Sequence, residues 1–222
     1  MSYTVKGIHF EREMFASFTD QAIIIHLTAD KPAAISCDLS MNTPMPARQV
    51  SVANRILKLD GKGAAKSDID GAIKFQAQVR AINNGGELTG SDTLLSVRKA
   101  NSVTIYVAMA TNFNNYHDVS GNAETRNTAY LNAAIKKPYP KAVSDHIAFY
   151  RRYFNRLDFK LGKDAAPQKP TDERIRDFNA GGDLALVPLF YQFGRYLLIS
   201  CSQPGNQAAN LQGKWNDLTS PP

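Results

Sequence analysis

The sequence predicts a multidomain chain of mixed α and β class: an antiparallel β-sandwich portion over residues 1–112, a linker with an amphipathic helix over 113–170, and the first helices of an α-helical domain over 171–222. Three observations predict it. Short apolar runs separated by turn residues recur about every 8 to 12 residues through the first half, which is the rhythm of a sandwich. Ile147, Tyr150, Phe154, Leu157 and Leu161 then recur at spacings of 3 and 4, the period of a helix with one apolar face. Finally, Leu184 to Cys201 is apolar nearly all round, as a helix buried inside a larger structure would be.

Taken in order, Tyr3, Val5, Ile8 and Phe10 form the first strand-like run, and Met14, Phe15 and Phe18 the second. Ala22–Thr28 is a dense β-branched run, and Ile35–Leu39 follows after Pro32. Val50–Leu59 alternates and stops at Asp60, Gly61, Lys62 and Gly63. Ile73–Ile82 is apolar on every second residue, the period of a half-buried antiparallel strand. Asn83, Asn84, Gly85 and Gly86 supply the positive-φ residues of a hairpin turn, and Leu94–Val97 and Val103–Ala108 complete the set.

The stretch 113–122, FNNYHDVSGN, is polar and turn-rich. His117 and Asp118 are sequence neighbours without a nucleophile motif, so loop hydrogen bonding is the favoured reading. A short helix is expected over Ala123–Ile135, ended by Pro138 and Pro140. The amphipathic helix is then expected to start at Ser144 or Asp145 and to stop at Gly162. Thr171 caps a further helix with Asp172 and Glu173 in its first turn, where the dipole favours them. Asp183 caps the last helix by accepting from its orphan first-turn N–H groups.

Composition narrows the function. With 222 residues, 43% hydrophobic and 21% charged, the chain is long enough for one large or two ordinary domains. Lys and Arg number 26 against 20 Asp and Glu, a net +6, but they are scattered, and no basic stripe with interleaved aromatics points to nucleic acid. Asp183, Gln192, Gly194 and Arg195 argue against a membrane span in the apolar helix. Cys37 and Cys201 read as free thiols. No C-x-x-C, H-E-x-x-H, Walker A or G-x-S-x-G motif occurs, so no metal and no cofactor is expected. The start, MSYTV, shows no signal peptide.

The polar stretch after the apolar helix is the candidate site. Asn206, Gln207, Asn210, Gln212, Trp215 and Asn216 crowd into eleven residues. Amides donate and accept to pairs of hydroxyls, and an indole packs on a pyranose face, so the composition suits a sugar. A loop whose amides serve its own turns is an equal reading.

Longer motifs add to this. The run FGRYLLISCSQPG (Phe193–Gly205) followed by AANLQGKWN (Ala208–Asn216), together with KPTDERI (Lys169–Ile175) and TIYVAMATNF (Thr104–Phe113), resembles glycoside hydrolase family 95, the inverting alpha-L-fucosidases. The resemblance implies that residues 1–112 are the later part of an N-terminal β domain and that 171–222 open an (α/α)6 catalytic barrel, the remainder of which is expected downstream. It implies a fucosylated oligosaccharide or glycan as substrate, bound in a pocket that Asn210, Gln212, Trp215 and Asn216 line or support. The family's acid glutamate and its water-holding asparagines and aspartate are expected beyond Pro222, which leaves no catalytic residue in this chain. It also implies a periplasmic or secreted parent enzyme. A carbohydrate-binding or assembly protein without catalysis, and an L-galactosidase of the same family, are the alternatives.

Overall fold

The computed structural model describes residues 1–45, 47–65, 68–162, 168–210, 215, 216 and 218. The chain forms two compact units, Met1–His146 and Ile147–Pro222.

Among the described residues the first unit holds ten strands: β1 Ser2–Val5, β2 Ile8–Ser17, β3 Ala22–Ala29, β4 Ile35–Leu39, β5 Ala47–Ala53, β6 Ile56–Lys62, β7 Lys74–Asn84, β8 Glu87–Gly90, β9 Leu95–Ala100 and β10 Ser102–Thr111. Seven of them form one antiparallel sheet in the order β1-β2-β3-β10-β7-β6-β5, and three form a second, β4-β9-β8. The inner faces meet in one apolar core: Ile35, Leu88, Leu95 and Val97 from the small sheet pack with Leu57, Val79, Val103 and Ile105 from the large one. Adjacent strand residues point to opposite faces. Accordingly, Ile24, Tyr106 and Ala108 face the other way, under Leu131 and Ala134 of helix α1 (Ala123–Ala134) and Ala142 of helix α2 (Tyr139–Phe154).

That second layer changes how three stretches are read. Ile73–Ile82 looks half-buried by its alternation, but β7 is covered on both faces, and its polar alternates Gln76 and Gln78 are 5% and 0% exposed. A network satisfies them in part, leaving Gln78 Oε1 and Asn127 Oδ1 without a partner among the described residues. Gln78 Nε2 donates to Gln76 Oε1 at 2.7 Å, Gln76 Nε2 donates to Asp60 Oδ1 at 2.7 Å, and Asn127 Nδ2 of α1 donates to the Gln76 carbonyl at 2.8 Å.

Val50–Leu59 is two strands, not one. The chain reverses between β5 and β6 at Asn54 and Arg55, whose φ values are 52° and 58°, the mirror-image turn whose twist matches antiparallel strands. Gly85 and Gly86 do take positive φ, 70° and 64°, but they close no hairpin. β7 pairs with β10 and β6, while β8 pairs with β9, so this turn hands the chain from the large sheet to the small one.

Helix α1 matches expectation, with Asn122 Oδ1 accepting from the Thr125 N–H at 2.9 Å. Helix α2 does not. It begins five or six residues earlier than the Ser144 or Asp145 start and ends at Phe154 rather than Gly162. Pro140 sits in its first turn, where a missing N–H has no partner to lose, and Asp145 lies inside the helix, ion-paired with Lys141 and with Lys137, the latter at 3.1 Å.

In the second unit, helix α3 (Thr171–Asp177) and a single 3₁₀ turn (Phe178–Ala180) lead to helix α4 (Leu186–Cys201). Only Cys201 of α4 is buried. Among the described residues nothing covers its apolar surface: Phe190 is 75% exposed, Leu198 58% and Phe193 53%. No described helix is long and apolar enough to cross a membrane.

Candidate functional site

Helix α4 is anchored at both ends by charged side chains. At its start, Arg174 of α3 donates from Nε and Nη2 to the two carboxylate oxygens of Asp183 at 2.8 and 2.9 Å, and both side chains are 8% exposed. Asp183 Oδ1 also accepts from the Leu186 N–H at 3.0 Å, but the helix begins later than expected and its N-cap position is Ala185, not Asp183. The guanidinium hydrogen bonds, first among the causes, hold the Asp183 carboxyl below its ordinary range.

Further along α4, Arg195 reaches the frayed end of α2. It donates to the carbonyls of Tyr153, Phe154 and Leu157 at 3.0, 2.9 and 3.1 Å, and to Gln192 Oε1 at 2.6 Å. Last-turn carbonyls of a helix lack intrahelical donors and carry negative partial charge, so a guanidinium there satisfies both. Its carbon also lies 5.1 Å from the centroid of the Phe154 ring.

An aromatic row runs from there to the polar stretch. Phe154 stacks on Tyr150 at 5.1 Å, Tyr150 meets Tyr196 edge-on at 6.3 Å, Tyr196 lies 6.1 Å from Phe193, and the Trp215 indole lies 6.3 Å from Tyr196. Trp215 is 52% exposed. Asn216 is half-buried and accepts at Oδ1 from the Leu218 N–H at 2.8 Å, the local amide turn that competes with a ligand role. Asn210 is exposed, and among the described residues no hydrogen bond joins it to Trp215 or Asn216. Gln212 lies outside the described residues.

Sequence reasoning missed the Arg174–Asp183 pair and the role of Arg195. The partners of the first are nine residues apart across a 3₁₀ turn, and those of the second about forty, so no periodic signal links either. His117 and Asp118 sit in a hydrogen-bonded loop. Asp118 accepts from Asn114 Nδ2 and from the Ser120 N–H, both at 2.8 Å, and contacts with Ser120 lead the causes that lower its carboxyl to about 2. Among the described residues no group of three or more His, Cys, Asp or Glu side chains could hold a metal.

Residues 138–222 match the glycosyl hydrolase family 95 catalytic domain, and residues 1–116 match the glycosyl hydrolase family 65 N-terminal domain. The chain belongs to glycoside hydrolase family 95. Two relatives align along it. A protein named Alpha-L-fucosidase 2 from Arabidopsis thaliana is 30% identical over 251 residues, covering all of this chain and 30% of the relative. One named Probable alpha-fucosidase A from Aspergillus niger is 27% identical over 226 residues, covering 96% of this chain and 28% of the relative. The chain therefore spans under a third of the length of either. Within the family 95 match lie α3, α4, the Arg174–Asp183 pair and the row that ends on Trp215.

Proposed function

We propose that the chain is part of an inverting alpha-L-fucosidase that removes terminal L-fucose from oligosaccharides or glycans outside the cytoplasm. The observation that carries this is the alignment of the whole chain with proteins named for fucosidase activity, at 30% and 27% identity. In this reading residues 1–112 are the later part of the N-terminal β domain, 113–170 the linker, and 171–222 the first helices of an (α/α)6 barrel. The remainder of that barrel is the partner that covers the exposed face of α4 and supplies the catalytic carboxylates.

Inversion needs an acid for the leaving oxygen and a group that activates water on the opposite face of the ring. The contribution of this chain is to position. Arg174 and Asp183 fix where α4 begins, Arg195 ties α4 to α2, and the aromatic row holds Trp215, on which a pyranose can pack. Asn210, Gln212 and Asn216 offer donor and acceptor pairs beside it.

The test is to assay the product of the full reading frame on a fucosylated oligosaccharide and to follow the anomeric proton of the released sugar by NMR. First-formed β-L-fucose from an α-linked substrate is the expected outcome. Release of the α anomer, or no release from any fucoside, overturns the proposal. The 222-residue chain alone is expected to show no turnover.

A further inference from the structure

We infer that the first unit carries a second sugar-binding cleft, which accepts one neutral monosaccharide ring. A cavity of about 290 Å³ opens to solvent where the start of α1 meets strands β6 and β7, and Asp60, Lys74, Phe75, Gln76, Asn122 and Glu124 line it. That volume holds one pyranose.

Several polar groups of the lining keep unused hydrogen-bonding capacity. Asp60 accepts from Gln76 through Oδ1 and leaves Oδ2 open; Glu124 pairs with Lys58 through Oε1 and leaves Oε2 open. Asn122 uses its oxygen to cap α1, which leaves its NH₂ as a donor. The Lys74 ammonium has no partner among the described residues. The residues that line this one space thus carry two free acceptors and two free donors, the combination that vicinal hydroxyls match, since each hydroxyl both donates and accepts.

The charges decide against other ligands. Asp60 and Glu124 are balanced by Lys74 and Lys58, so the cleft attracts neither a phosphate nor a cation. An apolar wall completes it. Phe75 stands directly across the ladder from Gly61, and a side chain at Gly61 would meet the ring at 2.2 Å, so the glycine is what lets the half-buried ring lie flat beside the cavity. An aromatic ring in that position packs on the C–H face of a pyranose. The inference stands on the lining of the cleft and leans on the fucosidase reading only for the choice of probe sugar.

The experiment is a titration of the isotope-labelled 222-residue chain with L-fucose, and separately with D-galactose and glycerol, read as amide shifts. Saturable millimolar shifts confined to Gly61, Lys74, Phe75, Asn122 and Glu124, absent with glycerol, are expected. The exposed substitutions Lys74→Ala and Glu124→Gln should each weaken the response about fivefold or more, because a hydrogen bond to a charged group is lost. Shifts that both variants leave unchanged, an equal response to glycerol, or no response at these amides overturns the inference. Shifts confined to the neighbourhood of Trp215 would overturn it too, while leaving the fucosidase proposal intact. Conversely, a full-length protein without fucosidase activity would leave a responding cleft in place.

Discussion

Arg174 and Asp183 form a two-point ion pair, with Nε and Nη2 on the two carboxylate oxygens at 2.8 and 2.9 Å, and neither side chain reaches far into solvent. Removing one partner of such a pair leaves the other desolvated and uncompensated, whereas an exposed pair is worth little. Asp183→Asn should therefore lower the thermal midpoint of the chain clearly, and Asp177→Asn, whose pairs with Lys169 and Arg176 are exposed, should barely move it. Hydrogen exchange at the Leu186 amide should also speed up in Asp183→Asn, because that amide loses its charged acceptor. Equal midpoints for the two variants would contradict this account.

The inner core should respond to truncation in the ordinary way. Leu57 is fully buried between the sheets, so Leu57→Ala should cost about 2–5 kcal/mol through lost transfer energy and the cavity left behind. Urea unfolding followed by far-ultraviolet circular dichroism measures it. A loss under about 1 kcal/mol would mean that the two sheets do not share the core described above.

At the join of strand and helix, Asn122→Ala removes the side-chain acceptor of the Thr125 N–H and should cost about 1 kcal/mol, while Asn122→Asp, which keeps the acceptor, should be near neutral. The same urea experiment separates them. If alanine and aspartate behave alike, the cap is not what stabilises α1.

His26 gives the β unit a dependence on pH. Its ring stacks on Tyr139 at 4.0 Å and its Nδ1 lies 2.8 Å from Thr104 Oγ1. Burial is the larger influence and lowers its pKa, against the nearby Glu13. His146, packed 4.8 Å from Phe15, is lowered in the same way by burial. A base whose folded pKa lies below the unfolded value of 6.5 stays neutral in the fold while the unfolded chain takes up the proton. Its contribution is present above pH 6.5 and is lost as pH falls through the lower folded value. Stability should therefore drop on acidification below about pH 6.5, before carboxylates titrate. The slope should shrink in His26→Gln, and a variant with the wild-type slope would remove His26 from the explanation.

How much of this was legible follows from which interactions are local. Period-two alternation finds β7 and a dense β-branched run finds β3, because both signals lie in the strand's own sequence. The position of α1 could be read for the same reason, from its own stretch of sequence and the prolines that follow it. Alternation cannot say how many layers lie over a strand. For that reason Gln76 and Gln78 look like the solvent face of β7, yet they lie beneath α1. Likewise, Asn83–Gly86 reads as a hairpin because the turn chemistry is right, and only the pairing of β8 with β9 shows that the chain changes sheets there. The candidate site divides in the same way. Trp215 and the amides could be read from composition, but the row through Tyr150 and Tyr196 that leads to Trp215, and the two guanidinium ties, join residues up to about forty positions apart.

By itself the sequence determined the class of each half, most strand positions and the family resemblance, all of which rest on local period or on contiguous motifs. The tertiary structure alone decided the split into seven- and three-stranded sheets, the burial of the Gln76 network, the exposure of α4, and the cleft between α1 and β6–β7. The physical reason is that burial and pairing are properties of neighbours brought together in space, and a residue carries no record in its own sequence window of what will be packed on its other side.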